Sequence, residues 1–188
     1  VRAERPAWFR DVAAALGLPA ARSTRNVWAD LDGDGWPDAV LARARVFRNR
    51  PAAPAGAPRF VELPDSGLAA PCGSDGKPAD LLLFADFNND GWPDVYCSGG
   101  GDVADALYIN TQDGTFTDMA ASYGIDVMHR GGGAAAGDFN NNGWCDLYVV
   151  SQGDMSGAPT DGHHKLFRNN GDGTFTDIAV SAGVNATT

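Results

Sequence analysis

The chain has 188 residues, a formal net charge of -10 and a hydrophobic content of 44%. This size and apolar content suffice for one compact core or an array of small units, and no apolar run approaches the roughly 20 residues of a spanning helix. Nine of the 24 acidic residues lie in three short loops, leaving 15 against 14 Lys and Arg. This distribution argues against nucleic-acid binding and favours small cations as the main charge partner, while the lack of a long apolar run argues against membrane insertion.

The first predicted element is a strand around Trp8 to Val12. Its pattern, Phe9-Arg-Asp11 followed by Gly17-Leu18, recurs in residues 60–68, 116–125 and 175–184. Each of those later copies ends a longer repeat, whereas the first copy stands without the rest of one. We therefore expect Trp8 to Val12 to be a surplus outer strand.

The longer repeat begins with an acidic nonapeptide, found in residues 30–38, 86–94 and 138–146. Each nonapeptide is followed by a short apolar run and then by a second run that ends in Asn. In the last two copies a Gly-rich turn precedes the Phe of the closing element, which is a hairpin signal. Each unit thus predicts strand, acidic loop, strand, connection, strand, turn and strand.

Four short antiparallel strands per roughly 50 residues are typical of a β-propeller blade, so we predict an all-β fold with three blades. The predicted divisions are residues 1–26 for the surplus strand and linker, 27–68 for blade 1, 69–125 for blade 2, and 126–188 for blade 3 with an exit segment. Because even small propellers have about four blades, we expect these three to be part of a larger ring or a multi-chain assembly.

The acidic loops predict metal sites. Positions 1, 3, 5 and 9 carry side-chain oxygens, position 6 is Gly, and position 7 can offer its backbone carbonyl. Oxygen-only ligands around a sharp turn suit calcium, so up to three calcium ions are expected. The candidate ligands are Asp30, Asp32, Asp34, Trp36 and Asp38; Asp86, Asn88, Asp90, Trp92 and Asp94; and Asp138, Asn140, Asn142, Trp144 and Asp146.

Other interpretations of these loops are weaker. Zinc or copper would favour His or Cys ligands, which the loops lack. An EF-hand needs Glu at position 12, where the chain has Leu41, Cys97 and Val149. The remaining alternative is that Asp, Asn and Gly build tight turns without a metal, and it weighs most for the third loop, which has two carboxylates.

At these residues the chain resembles the FG-GAP/VCBS repeats of the integrin alpha-subunit propeller, and more closely those of cartilage acidic protein and its bacterial relatives with ASPIC/UnbV domains. The Asp-Gly-Trp-Pro-Asp loop endings and the string Leu-Phe-Arg-Asn-Asn-Gly-Asp-Gly-Thr-Phe-Thr-Asp at 166–177 carry the match. The resemblance implies a calcium ion in each loop that pins a hairpin at the blade edge. For activity it implies nothing definite, because such propellers serve adhesion, surface assembly and, in some lyases, as scaffolds.

The three cysteines allow one disulfide and one spare thiol. Cys97 occupies a strand position equivalent to Val149, and Cys72 lies in the loop that leads to the adjacent strand. We therefore predict a Cys72–Cys97 disulfide and a free Cys145.

Several other features could bind ligands. His129, His163 and His164 could be ligands or bases, although no nucleophile pair accompanies them. The tryptophans Trp28, Trp36, Trp92 and Trp144 favour blade packing over sugar platforms. The Gly-rich connection at 151–162 could be a binding loop or a linker. The Pro- and Ala-rich stretch at 51–58 is predicted to be an extended spacer.

The sequence predicts a non-enzymatic module that is extracellular, at the cell surface or periplasmic. It would bind a protein or a glycan, or another chain that completes the propeller. The alternative is the non-catalytic portion of a polysaccharide-active lyase or hydrolase. Within the chain there is no G-x-S-x-G elbow, no H-E-x-x-H helix and no Cys/His nucleophile arrangement.

Overall fold

The computed structural model describes residues 10–19, 26–41, 45–51, 54–68, 81–98, 103–127, 131–151 and 164–184. Within these ranges the secondary structure consists of twelve strands, a 3-10 turn at Ala14–Leu16 and one short helix, α1 (Ala120–Tyr123). No helix in the described part of the chain is both long and apolar enough to cross a membrane.

The strands form three four-stranded antiparallel sheets, in which neighbours in sequence are neighbours in space. The prediction of an all-β fold with three such blades is confirmed. Blade 1 contains β1 (Asn26–Ala29), β2 (Asp38–Leu41), β3 (Arg45–Asn49) and β4 (Phe60–Leu63). Blade 2 contains β5 (Leu81–Ala85), β6 (Asp94–Ser98), β7 (Ala106–Asn110) and β8 (Phe116–Asp118). Blade 3 contains β9 (Gly131–Gly137), β10 (Asp146–Ser151), β11 (Lys165–Asn169) and β12 (Phe175–Asp177).

Each acidic loop joins the first strand of its blade to the second. In blade 1 the register places Ala29 opposite Asp38, so the loop begins and ends at one edge of the sheet. The equivalent pairs are Ala85 with Asp94 and Gly137 with Asp146. All three loops therefore occupy the same end of their blades.

The core lies between blades rather than within them. One buried cluster joins two sets of side chains, Leu31, Val40, Val46 and Leu68 from blade 1 and Val95, Cys97, Tyr108 and Phe116 from blade 2. A second cluster joins Phe87, Tyr96, Leu107 and Ile125 from blade 2 to Leu147, Val149, Phe167 and Phe175 from blade 3. Every residue of β6 is buried, because blade 2 is covered on both faces. Face-to-face stacking of successive antiparallel sheets is the packing expected of propeller blades.

The N-terminal segment packs on blade 1. Leu16 and Leu18 contact the buried cluster of Ala39, Phe47 and Phe60. Residues 10–12, the described part of the predicted surplus strand, lie outside any strand, and Trp8 and Phe9 lie outside the described residues. The pairing of that strand stays a prediction.

Two predicted connections have different outcomes. The hairpin turns before β8 and β12 are present, with left-handed backbone at Gln112, Gly114, Gly171 and Gly173. The extended spacer predicted at 51–58 is wrong for residues 54–57, which form a turn closed by a bond from the Ala57 N–H to the Pro54 carbonyl at 2.9 Å. The chain has to reverse between β3 and β4 because they are antiparallel neighbours, and this turn contributes to the reversal.

Candidate metal-binding loops

Each acidic loop curls around its first carboxylate. In loop 1 (residues 30–38) the Asp34 N–H donates to Asp30 Oδ1 at 3.1 Å and the Gly35 N–H to Asp30 Oδ2 at 2.8 Å. Asp86 and Asp138 accept the matching pairs of bonds in loop 2 (residues 86–94) and loop 3 (residues 138–146). Gly35 has a φ of +86°, a conformation that L side chains rarely adopt, so the glycine at position 6 lets the loop close.

Positions 3 and 5 fold inward along the same turn. Asp34 Oδ1 accepts the Trp36 N–H at 2.9 Å, while Asp32 Oδ1 accepts the Asp34 N–H at 3.3 Å. Asn88 and Asp90 in loop 2 and Asn140 and Asn142 in loop 3 accept the equivalent bonds. Asn can replace Asp at these positions because each bond needs a single side-chain oxygen.

The ninth residue of each loop is a buried carboxylate that ties the loop to the rest of its blade. Asp38 Oδ2 accepts the Leu31 N–H at 3.1 Å and Oδ1 accepts the Asn49 N–H at 2.7 Å. Asp94 accepts the N–H groups of Phe87 and Asn110, and Asp146 those of Phe139 and Asn169. We call this arrangement the carboxylate clamp.

Burial raises the pKa of two of these ninth-position carboxylates, Asp38 and Asp94. It raises the pKa of Asp38 to about 6, with the Asp32 and Asp34 charges adding to the rise and the two backbone N–H bonds opposing it. The pKa of Asp94 is raised to about 6 for the same reasons. In the metal-free protein both groups therefore take up a proton more readily than an ordinary Asp, whose pKa is about 3.9.

The raised pKa of Asp38 predicts that the free energy of unfolding depends on pH, and Asp38→Asn should remove part of this dependence. Because the folded-state pKa is raised, the stabilising contribution of Asp38 is complete below about pH 4 and is lost as pH rises through about 6. In EDTA, the free energy of unfolding of the wild type should fall relative to that of Asp38→Asn by about 2 kcal/mol between pH 4 and 7. Urea titrations at several pH values measure this difference, and parallel curves would contradict it.

Three carboxylates of loop 1 converge. Ligand oxygens of Asp30, Asp32 and Asp38 all lie within 4.8 Å of one another. Asp34, also a predicted ligand, instead directs one oxygen to the Trp36 N–H. In loops 2 and 3 the third position is Asn88 or Asn140, so each has fewer charged oxygens around the same turn. A convergent all-oxygen set of this kind fits a hard cation such as calcium.

Sequence reasoning missed an arginine beside loop 1. Arg48 Nε lies 3.2 Å from Asp32 Oδ2, and an Nη2 hydrogen is donated to the Asp113 carbonyl of blade 2 at 3.2 Å. This cation offsets part of the negative charge of loop 1, whereas Ile109 holds the equivalent position in blade 2. The Arg-Asn ending of the β3 run was visible in the sequence, but the fold was needed to place it beside the loop.

The Asn that ends the third strand also has a role that was not predicted. Its side-chain amide bridges two loops: Asn110 Nδ2 donates to the Leu31 carbonyl of loop 1 at 3.0 Å and to the Pro93 carbonyl of its own loop at 3.2 Å. Asn169 makes the matching bonds to the carbonyls of Phe87 and Cys145. Adjacent loops are therefore coupled through a side chain from the following blade.

Loops also touch directly. Asn89 Nδ2 donates to the Gly143 carbonyl at 2.7 Å, which joins loop 2 to loop 3. Trp92 packs so tightly against Gly33 that a Cβ there would lie 2.7 Å from the ring. Trp36 instead stacks against Arg59, whose guanidinium lies 5.1 Å from the ring centroid, and stays exposed.

The cysteine and histidine candidates fall partly within the described residues. Cys97 is disulfide-bonded and Cys145 is a free, half-buried thiol whose pKa is raised by burial. Cys72 lies outside the described residues, so its pairing with Cys97 stays a prediction. His164 Nδ1 accepts the Ser151 N–H at 3.2 Å, which is a structural role. His129, His163 and most of the 151–162 connection also lie outside the described residues.

Comparison with known proteins supports the repeat. Residues 86–149, from loop 2 into blade 3, match the family described as FG-GAP-like repeat. A 91-residue stretch is 36% identical to cartilage acidic protein 1 of Xenopus tropicalis, covering 46% of this chain and 13% of that protein. The chain therefore spans a small part of that relative's length. The predicted resemblance to FG-GAP repeats is confirmed.

One solved structure is similar in shape over much of the chain. It is that of an Agrocybe aegerita lectin, described as specific for non-reducing terminal N-acetylglucosamine. The likeness has a TM-score of 0.45 at 21% identity and covers 81% of this chain and 36% of the lectin chain.

Proposed function

We propose that this chain is a calcium-stabilised structural and binding module that works outside the cytoplasm. The observation that carries the proposal is the convergence of the Asp30, Asp32 and Asp38 carboxylates within loop 1. The repeated backbone geometry of loops 2 and 3 extends the same chemistry to them. The proposed ligand set is the side chains at positions 1, 3, 5 and 9 with the carbonyl at position 7.

Calcium would act by joining blades rather than by chemistry on a substrate. The loops contact each other through Asn89, Trp92 and the amide of Asn110, so a cation that fixes one loop also restrains its neighbour. A carboxylate that ligates calcium is a poor general acid, which favours a non-enzymatic role. We infer that the bound ions stiffen a platform that recognises a protein or a glycan.

The disulfide at Cys97 supports an extracellular, cell-surface or periplasmic location. Disulfides form and persist in oxidising compartments and are rare in reducing ones. Weak calcium sites would also suit such compartments, because extracellular modules bind calcium with a Kd of about 10⁻⁴ to 10⁻³ M.

Calcium titration of the purified chain tests the proposal. Isothermal calorimetry should count three ions, with affinity falling from loop 1 to loop 3 as the carboxylate number falls from four to three to two. Saturating calcium at about 100 times Kd should raise stability by about 2.7 kcal/mol per site. Asp30→Ala should remove one ion, whereas Asp172→Ala, in a hairpin turn outside the loops, should leave three. An unchanged ion count in Asp30→Ala would show that loop 1 is not a site.

Arg48 allows a second test of calcium binding in loop 1. Because its guanidinium lies against Asp32, the variant Arg48→Met should bind calcium in loop 1 several-fold more tightly than the wild type. The effect should weaken as salt is raised, since partly exposed charges are screened.

A further inference from the structure

Neighbouring acidic loops are joined through residues that lie directly between proposed calcium ligands. The Asn110 amide donates at 3.0 Å to the Leu31 carbonyl, at position 2 of loop 1, between the ligands at positions 1 and 3. It also donates at 3.2 Å to the Pro93 carbonyl, at position 8 of loop 2, between the ligands at positions 7 and 9. The two N–H bonds of one planar amide therefore fix a ligand-bearing stretch of each loop relative to the other.

The same arrangement recurs between loops 2 and 3. Asn169 Nδ2 donates to the Phe87 carbonyl, at position 2 of loop 2, and to the Cys145 carbonyl, at position 8 of loop 3. A direct bond of 2.7 Å adds to this link, from Asn89 at position 4 of loop 2 to the Gly143 carbonyl at position 6 of loop 3. Loop 2 is therefore bonded to both of the other loops.

The linking asparagines also hold the ninth carboxylate of their own loop. The backbone N–H of Asn110 donates to Asp94 Oδ1 at 2.9 Å, and that of Asn169 donates to Asp146 Oδ1 at 2.7 Å. Both asparagines are 2% exposed, so water is not an alternative partner for their amides. One residue thus connects a proposed ligand of its own loop to the backbone of the preceding loop.

Blade 1 contains a matched residue without the link. Asn49 ends the third strand of its blade, and its backbone N–H donates to Asp38 as in the other two blades. Its side-chain amide donates to the Pro37 carbonyl of its own loop at 2.9 Å, and its Oδ1 accepts Arg59 Nε at 2.7 Å. In the part of the chain that the structure describes, Asn49 makes no hydrogen bond to another acidic loop.

We propose that neighbouring loops bind calcium cooperatively, with Asn110 coupling loop 1 to loop 2 and Asn169 coupling loop 2 to loop 3. This inference rests on the proposed calcium sites. The ligand-bearing backbone of a loop loses freedom when an ion binds, and the shared amide extends that restraint to the neighbouring loop. The neighbouring loop then loses less conformational entropy on binding its own ion, and by linkage the effect is reciprocal.

Site-resolved calcium titrations by NMR test the coupling. The Gly91 and Gly143 amides donate to the first carboxylate of loops 2 and 3, so their shifts report binding in each loop. Loop 3 should fill last because it has the fewest carboxylates. Asn88→Ala weakens the loop 2 site without changing its charge, and it should raise the half-saturation concentration at Gly143 at least about threefold. A salt concentration of about 0.5 M screens charge repulsion between the loops.

Removing the linking amide should remove most of this effect. In the Asn169→Ala background, Asn88→Ala should raise the half-saturation concentration at Gly143 by less than about twofold, because the loops no longer share that amide. In the Asn49→Ala background the full rise of about threefold or more should remain, because Asn49 holds only its own loop.

Asn89→Gly is a second uncoupling variant, which does not remove a buried side chain. Asn89 has a φ of +58°, a conformation that Gly adopts without strain, and the substitution removes the bond to the Gly143 carbonyl. Asn141→Gly, at the same position of loop 3 with a φ of +59°, is the matched control. Asn89→Gly should reduce the effect of Asn88→Ala at Gly143, and Asn141→Gly should leave it unchanged.

The outcomes distinguish this inference from the proposed function. If the Gly91 and Gly143 amides do not respond to calcium, the sites are absent and the proposed function fails. If both amides respond but Asn88→Ala leaves the half-saturation concentration at Gly143 unchanged, the loops bind calcium independently and the coupling alone is overturned. The coupling through Asn169 is equally overturned if the rise is as large in the Asn169→Ala background as in the Asn49→Ala background.

Discussion

Replacing Asp94 by Ala should destabilise the chain by about 3 to 5 kcal/mol, even with no calcium present. The Asp94 carboxylate is fully buried and accepts the N–H groups of Phe87 and Asn110, both of which would be left buried without a partner. Each lost hydrogen bond costs about 1 to 3 kcal/mol. Burial raises the pKa of Asp94 to about 6, so removing its buried charge offsets part of this cost, and the expected total stays below about 6 kcal/mol. Because small domains are stable by about 5 to 15 kcal/mol, the variant should be largely unfolded at moderate urea.

Asp90→Ala separates the clamp from metal binding. Asp90 belongs to the same loop and is a proposed ligand, but it is exposed and accepts only the backbone N–H of Trp92 along with side-chain amides. In EDTA, Asp90→Ala should lower the free energy of unfolding by less than about 1 kcal/mol. In calcium, both variants should also lose the stabilisation that an ion bound in loop 2 provides. Urea unfolding followed by circular dichroism measures both. Equal midpoints for the two variants in EDTA would show that Asp94 has no structural role apart from metal.

Much of the fold followed from the repeat. The short apolar runs, Gly at the turns and the recurrence of the acidic loop predict four strands per unit, and each of these strands is found. Sequence alone does not show that the core lies between sheets, because a run such as Val95 to Cys97 is equally apolar whichever surface covers it. The turn at 54–57 was mistaken for a spacer since Pro-rich composition is compatible with both.

The sequence predicts the acidic loops of the candidate site but not the hydrogen bonds and the ion pair that hold these loops in place. The carboxylates at positions 1, 3, 5 and 9 were assigned as equal ligands, whereas the structure gives position 9 a second task as a buried clamp. Arg48 and Asn110 act across 16 and 79 residues of sequence, at Asp32 and at the Leu31 carbonyl. Contacts of this range depend on how blades stack, and the repeat pattern marks the residues without giving their partners.

Gly67→Ala should be the most damaging of the small substitutions, at about 3 kcal/mol or more. Gly67 has a φ of +77°, so any L side chain is strained there by about 1 to 2 kcal/mol. Its added Cβ would also lie 2.2 Å from the Phe116 carbonyl oxygen, and this backbone cannot retreat without breaking the bond from the Phe116 N–H to the Ser66 carbonyl at 2.8 Å. Blade 1 and blade 2 would therefore separate along their shared core.

Gly183→Ala separates the cost of the steric clash at Gly67 from the cost of backbone strain at positive φ. Gly183 has a similar φ of +73° and ends the exit segment of blade 3 as Gly67 ends that of blade 1, but a Cβ there meets no atom within 4 Å. In the 188-residue chain it should cost only the strain of about 1 to 2 kcal/mol, so the two variants should differ by about 2 kcal/mol in urea unfolding. Equal losses would mean that backbone conformation alone sets the cost. A larger loss at Gly183 would contradict the open surroundings of this residue.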